Sequence, residues 1–146
     1  MIQQDTIAAL VTAVGESSVG IIRISGPQAV EIAKKIYQGG SDLQKAQSHT
    51  IHYGYVYDWR QQKKIDEALF LLMRGPRSFT GEDVVEVQCH GGMVVLKQVL
   101  QLILLSGARL AEAGEYSKRA FLNGRLDLAQ KAEFLSLQRN TLVLSR

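Results

Sequence analysis

Residues 78–92, SFTGEDVVEVQCHGG, constrain this chain more than any other stretch, because they place an acidic turn, a short β-branched run and two glycines in immediate succession. Residues 84–90 have the length and valine content of a strand, and residues 93–106 carry apolar side chains at helical spacing. A strand that meets a helix through Gly91-Gly92 has the layout of a binding site. With no Cβ in the way, backbone N–H groups at the positive end of a helix can approach an anion. Glu86 stands alone in the middle of the apolar run, a carboxylate able to face inward.

The rest of the chain supplies a core for such a site. At 146 residues and 46% hydrophobic content, the length and composition fit one globular domain. Thr6 to Thr12 and Val19 to Ile24 read as strands on either side of a turn at residues 15–18. Pro27 then opens a helix with Ser25 as a plausible cap, an apolar face of Ala29, Ala33, Ile36 and Tyr37, and Gly39-Gly40 as its end. Ile51, Tyr53, Tyr55 and Tyr57 alternate at the period of a strand. Residues 65–73 return as its hairpin partner after a polar turn through residues 60–64. Beyond the helix at 93–106, Gly107 ends the element, residues 108–111 make a short strand, and residues 115–122 form a brief helix closed by Gly124. A further helical pattern begins at Leu126. Strands and helices without regular βαβ alternation predict an α+β fold, with a mixed or antiparallel sheet and packed helices.

Charge and cysteine usage narrow the setting. The net charge is +3, and the basic residues are scattered pairs such as Lys34-Lys35 and Lys63-Lys64, which permit an RNA partner without demanding one. The single cysteine, Cys89, excludes an internal disulfide framework and fits a reducing compartment. Asp5 precedes the first apolar run with no basic leader before it, and the apolar region 94–105 is too short to span a bilayer, so a cytoplasmic location and no membrane contact are expected. Cys89 and His90 together supply too few ligands for zinc and point to opposite faces of a strand. Cys89 is therefore expected to be packed, and His90 to stand near the glycine turn.

A second informative stretch, residues 114–128, runs a short helix into a tight turn. Gly124 suits a left-handed cap, Asn123 can bond turn backbone, and Arg125 emerges with Asp127 near enough to orient it. The spacing alone leaves open an ordinary helical corner whose arginine pairs with a neighbouring carboxylate.

Three segments, DTIAALVTAVGESSVGIIRISGP at 5–27, SFTGEDVVEVQCHGG at 78–92 and GARLAEAGEYSKRAFLNGRLDLAQ at 107–130, resemble in order and spacing the N-terminal domain of the MnmE (TrmE) tRNA-modification GTPases. The resemblance implies a tetrahydrofolate-binding domain, similar in fold to the folate domain of the glycine cleavage T-protein, that also forms a homodimer. It divides the chain into a folate-binding and dimerisation domain at 1–118 and the start of a helical segment at 119–146, truncated or divergent after Gln130. In that family the folate, a 5,10-methylene or 5-formyl derivative, supplies a one-carbon unit. The whole protein works with the flavoprotein MnmG (GidA) to build an aminomethyl or carboxymethylaminomethyl group on the wobble uridine of tRNA. GTP, Mg and K belong to a separate domain.

Carried over residue by residue, the family's folate contacts fall on Arg23 of GIIRISG, Glu86 of GEDVVEV and Arg125 of FLNGRLD. One carboxylate can accept the amino group and ring N–H that a pterin presents side by side, which suits Glu86. The alternatives are an outward strand carboxylate for Glu86 and a sheet-edge charge for Arg23. No catalytic or metal-binding residue is expected. The sequence contains no GxxxxGK[ST] phosphate loop, so no GTPase activity is expected of this segment alone. It departs from the family's usual run after Gln130 and places Glu16 where the family has a basic, Gly-rich loop. Other readings are a tRNA-binding module and a purely structural dimerisation fragment.

Overall fold

The computed structural model describes residues 5–12 and 19–124. They form an α+β domain whose elements in chain order are β1 (Ile7–Leu10), β2 (Gly20–Ser25), α1 (Ala29–Ile36), β3 (Tyr37–Gly39), β4 (Thr50–Asp58), β5 (Lys63–Met73), β6 (Val84–Cys89), α2 (Gly92–Leu105), β7 (Arg109–Leu110) and α3 (Glu115–Leu122). All the strands join one seven-stranded sheet in the order β3-β4-β5-β6-β2-β1-β7. Its pairings are antiparallel except β1 with β7, so the sheet is mixed.

Alternation along the strands sorts side chains onto two faces. Ile22, Val87 and Phe70 lie side by side through the β2–β6 and β5–β6 registers, and all are fully buried. Against them pack Ile32 and Ile36 of α1 and Leu96, Val99 and Ile103 of α2. Full burial of each such aliphatic side chain contributes about 1.5–3 kcal/mol relative to exposure. Helix α2 sits so close to the sheet that a Cβ on Gly20 would lie 2.2 Å from Leu96 Cδ1.

The opposite face is covered only at one end. Ile7 and Ala9 of β1 form a small second cluster with Ala111 and with Tyr116 of α3. Farther along, the β4 residues Ile51 and Tyr53 remain 64% and 55% exposed. The alternating apolar set of β4 thus faces away from the main core, while Gly54 and Val56 face into it.

Two local expectations need correction. Ser25 does not cap α1: it ends β2, is fully buried, and its hydroxyl engages Thr80 and Glu82. The cap position falls to Gln28, whose N–H donates to Thr6 Oγ1 at 2.9 Å. Nor does the helix run to Gly39-Gly40, because Tyr37–Gly39 pairs with β4 as a strand and ends the helix at Ile36. The remaining elements lie within a few residues of their expected positions, and α3 spans Glu115–Leu122 as expected. The turn at 15–18, Glu16 within it, Arg125, Asp127 and the pattern from Leu126 lie outside the described residues.

Candidate functional site

Arg23 and Glu86 occupy directly opposed positions on β2 and β6, both interior strands. That placement excludes the sheet-edge role for Arg23. Arg23 Nε donates to Glu86 Oε2 at 2.8 Å, and the two side chains are 23% and 14% exposed. They lie on the face away from α1 and α2, since their neighbours Ile22 and Val87 point into the main core. Two aromatic rings flank the guanidinium, with the Phe79 centroid 5.2 Å and the Tyr116 centroid 5.3 Å from Arg23 Cζ, within cation–π range. Tyr116 also donates its hydroxyl to the Arg23 carbonyl at 2.6 Å, fixing α3 over β2. Burial pushes the Tyr116 phenol above its ordinary value, so it stays a neutral donor.

The result is a half-buried carboxylate and a guanidinium with aromatic walls. Among the described residues Nε is the only side-chain nitrogen of Arg23 with a hydrogen-bond partner, and Glu86 Oε1 accepts from none. Donors and acceptors therefore remain side by side for a flat, polar ring. Sequence reasoning found both charged residues but not Phe79 or Tyr116. Phe79 is 45% exposed on the loop before β6, a position that periodicity does not address.

The acidic turn ties β2 to α3. Glu82 accepts from Ser25 Oγ at 2.8 Å and from Arg119 Nη1 at 3.2 Å. Arg119, 5% exposed, also reaches the Asp5 carbonyl at 2.5 Å, Asp5 Oδ1 at 2.6 Å and Glu115 Oε2 at 3.4 Å. Arg109 meets the same two carboxylates at 2.6 and 2.7 Å. The hydrogen bond from Arg109 is the main force holding the Asp5 carboxyl at about 2, with Arg119 adding to it against the effect of burial. For Glu115, burial pushes the carboxyl up, but the Arg109 hydrogen bond, the Glu112 N–H and the two cationic charges outweigh it and the value falls. This network clamps α3 and the start of β1 to the loop carrying Phe79. Asn123 strengthens the clamp by donating to the Thr80 carbonyl at 2.9 Å, rather than to its own turn.

The glycine pair also turns inward on the protein. The N–H groups of His90 and Gly91 donate to Asp66 Oδ2 at 2.8 and 3.0 Å, so the anion at the start of α2 is a side chain of β5. Gly92, at φ +82, makes the bend that lets the helix begin there. Cys89 is fully buried, and desolvation raises its thiol to about 12, which leaves it protonated and inert. His90 stands at the glycine turn, its ring Nδ1 3.5 Å from the Glu67 carbonyl. No group of three or more potential metal ligands occurs among the described residues, and no helix among them is long and apolar enough to cross a membrane.

Comparison with known proteins places the sequence in a family. A family profile described as "GTP-binding protein TrmE N-terminus" matches residues 6–125. The chain is 54% identical over 136 residues to the tRNA modification GTPase MnmE of Enterococcus faecalis, covering 92% of this chain and 29% of that protein. It is 52% identical over 137 residues to the MnmE of Bacillus subtilis, covering 92% of this chain and 30% of that protein. The chain thus spans about three tenths of the length of the relatives it matches. With the profile spanning residues 6–125, most of the chain, the chain belongs to the TrmE N-terminus family, the N-terminal domain of the tRNA modification GTPases MnmE.

Proposed function

We propose that this domain binds a reduced folate over the Arg23–Glu86 pair and joins a second copy of itself, within an enzyme that modifies the wobble uridine of tRNA in a GTP-dependent cycle. The observation that carries the folate reading is the half-buried Arg23–Glu86 pair between Phe79 and Tyr116. A pterin offers an amino group and a ring N–H on one edge and a carbonyl next to them. Glu86 accepts the first two, and each of its oxygens has lone pairs beyond the one used by Arg23. Arg23 donates to the carbonyl through its terminal nitrogens, and Phe79 is exposed enough to cover the ring face. The folate, as a 5,10-methylene or 5-formyl derivative, supplies a one-carbon unit when bound. Arg125 is the proposed contact for the ligand's carboxylate end. Asn123 is tied to Thr80, so the chain reaches Gly124 beside the loop that carries Phe79.

Dimer formation is supported by Ile51 and Tyr53, which expose apolar surface on the face of the sheet away from α1 and α2, beyond the end that α3 covers. In the full-length context the partners are the flavoprotein MnmG and tRNA, in the cytoplasm, with GTP, Mg and K handled by a domain outside this segment. Titration of 5-formyltetrahydrofolate into the folded domain by calorimetry tests the reading. Saturable binding is expected, and a flat trace from folded protein would overturn it.

A further inference from the structure

The tip of the β4–β5 hairpin carries chemistry that the Arg23–Glu86 site does not use. Trp59, the only tryptophan in the chain, follows β4 and is 43% exposed. Its indole N–H is fixed to Ser106 Oγ at 3.0 Å, which holds the ring at the surface beside the end of α2. Lys35 of α1 donates to the carbonyl of the same serine at 3.2 Å, so a cation is held at the residue that anchors the indole. Beyond Trp59, a cleft of about 190 Å³ opens between the hairpin and α2, with Arg60, Lys63, Gln98 and Gln101 on its walls.

The one carboxylate in that cleft, Asp58, is already engaged. Its Oδ1 accepts the N–H groups of Arg60 and Gln61 at 2.9 and 3.2 Å and lies 3.5 Å from Arg60 Nε. Burial pushes the Asp58 carboxyl up, yet those hydrogen bonds prevail and hold it below its ordinary value. Arg60 and Lys63 are exposed, and Lys63 has no ion-pair partner among the described residues. A fixed aromatic face, cations beside it and two amides able to both donate and accept form the combination that receives unstacked bases and their phosphates. Neither a small anion nor an apolar partner would use all three.

We propose that this surface, with Trp59 as a stacking platform, Arg60 and Lys63 on phosphates and Gln98 and Gln101 on base edges, binds a single-stranded segment of RNA. It lies on the helical side of the sheet, opposite the Arg23–Glu86 pair, so both sites can be filled together. The choice of RNA over DNA rests on the function proposed above; the placement of the surface does not.

Because Trp59 is the sole tryptophan, its emission reports contact directly. Titrating the whole chain with a short RNA hairpin bearing an unpaired loop should quench that emission, and a fully paired RNA should quench it less. Replacing both Arg60 and Lys63 by alanine should lower the salt slope of binding by about 1.4, at about 0.7 per cation on a single strand. Trp59→Ala should weaken binding, followed by anisotropy of labelled RNA, at least about fivefold while leaving that slope in place, and Trp59→Phe should restore part of the loss. Calorimetric titration of 5-formyltetrahydrofolate should be unchanged in all these variants, so failure of one site is distinguishable from failure of the other. Absence of quenching, or RNA binding that survives both the Trp59→Ala and the Arg60/Lys63 replacements in folded protein, would overturn the proposal, including in favour of a protein partner.

Discussion

Arg23 Nε and Glu86 Oε2 meet at 2.8 Å although 63 positions separate the residues in the chain, because β2 and β6 pair antiparallel with these two directly opposed. A cross-strand pair of this kind leaves both side chains on one face and within reach of a single ligand. Its flanking rings come from the loop leading into β6 and from α3, so three separate stretches of chain build the site.

Removing the carboxylate tests the pair directly. Glu86→Ala should weaken binding of 5-formyltetrahydrofolate by about 1.5–3 kcal/mol, the usual range for a hydrogen bond to a charged group. Calorimetric titration checks this, and unchanged affinity would mean that Glu86 does not read the ligand.

The Arg119 clamp predicts a stability effect. Arg119→Ala leaves Glu82, 9% exposed, without its cation and should cost about 3–5 kcal/mol, read as a lower urea midpoint. Because the same clamp positions the Phe79 loop, ligand affinity should fall as well.

Acid should loosen the same region. Asp5 sits at about 2 and Glu115 below its ordinary value, so each contributes stability that is present above the unfolded carboxyl value, near 4. That contribution is lost as pH falls from about 4 to about 2, and Arg109→Ala should flatten the loss. Urea midpoints measured across this window give the slope; an equal slope in the variant would show that the pairing with Arg109 is not its source.

Asp66 should matter to α2 despite lying on β5. Asp66→Ala removes both hydrogen bonds at the His90–Gly91 turn and should destabilise the domain by about 1–3 kcal/mol, with Asp66→Asn retaining part of that. Chemical denaturation measures the loss, while folate affinity should hold because Asp66 faces away from Glu86.

Ile51→Glu tests the self-association surface. At 64% exposure the substitution should shift the stability of the separated protomer by no more than about 0.5 kcal/mol. Light scattering should show a dimer becoming a monomer. A variant that stays dimeric would place the contact elsewhere.

The sequence by itself determined the local elements and singled out the two charged residues that the sheet pairs in the candidate site. Alternation in β4, helical spacing in α2 and the bounds of α3 follow from backbone geometry, which acts over a few residues and is written directly in the side-chain pattern. Arg23 and Glu86 were legible through long motifs, and Cys89 as a packed thiol through its place in an apolar strand. Only the tertiary structure decided what each charge meets. Periodicity shows that Tyr53 and Gly54 point oppositely, but not which face the helices cover, and the exposed face proved to be the tyrosine one. The glycine turn at Gly91 advertises an anion, yet strand pairing delivers the carboxylate of Asp66 there from 25 positions away. Glu82 looks like part of a binding loop until α3 brings in Arg119. Hydrogen bonds and ion pairs are decided by distance in space, and sheet order sets those distances only after the whole chain has folded.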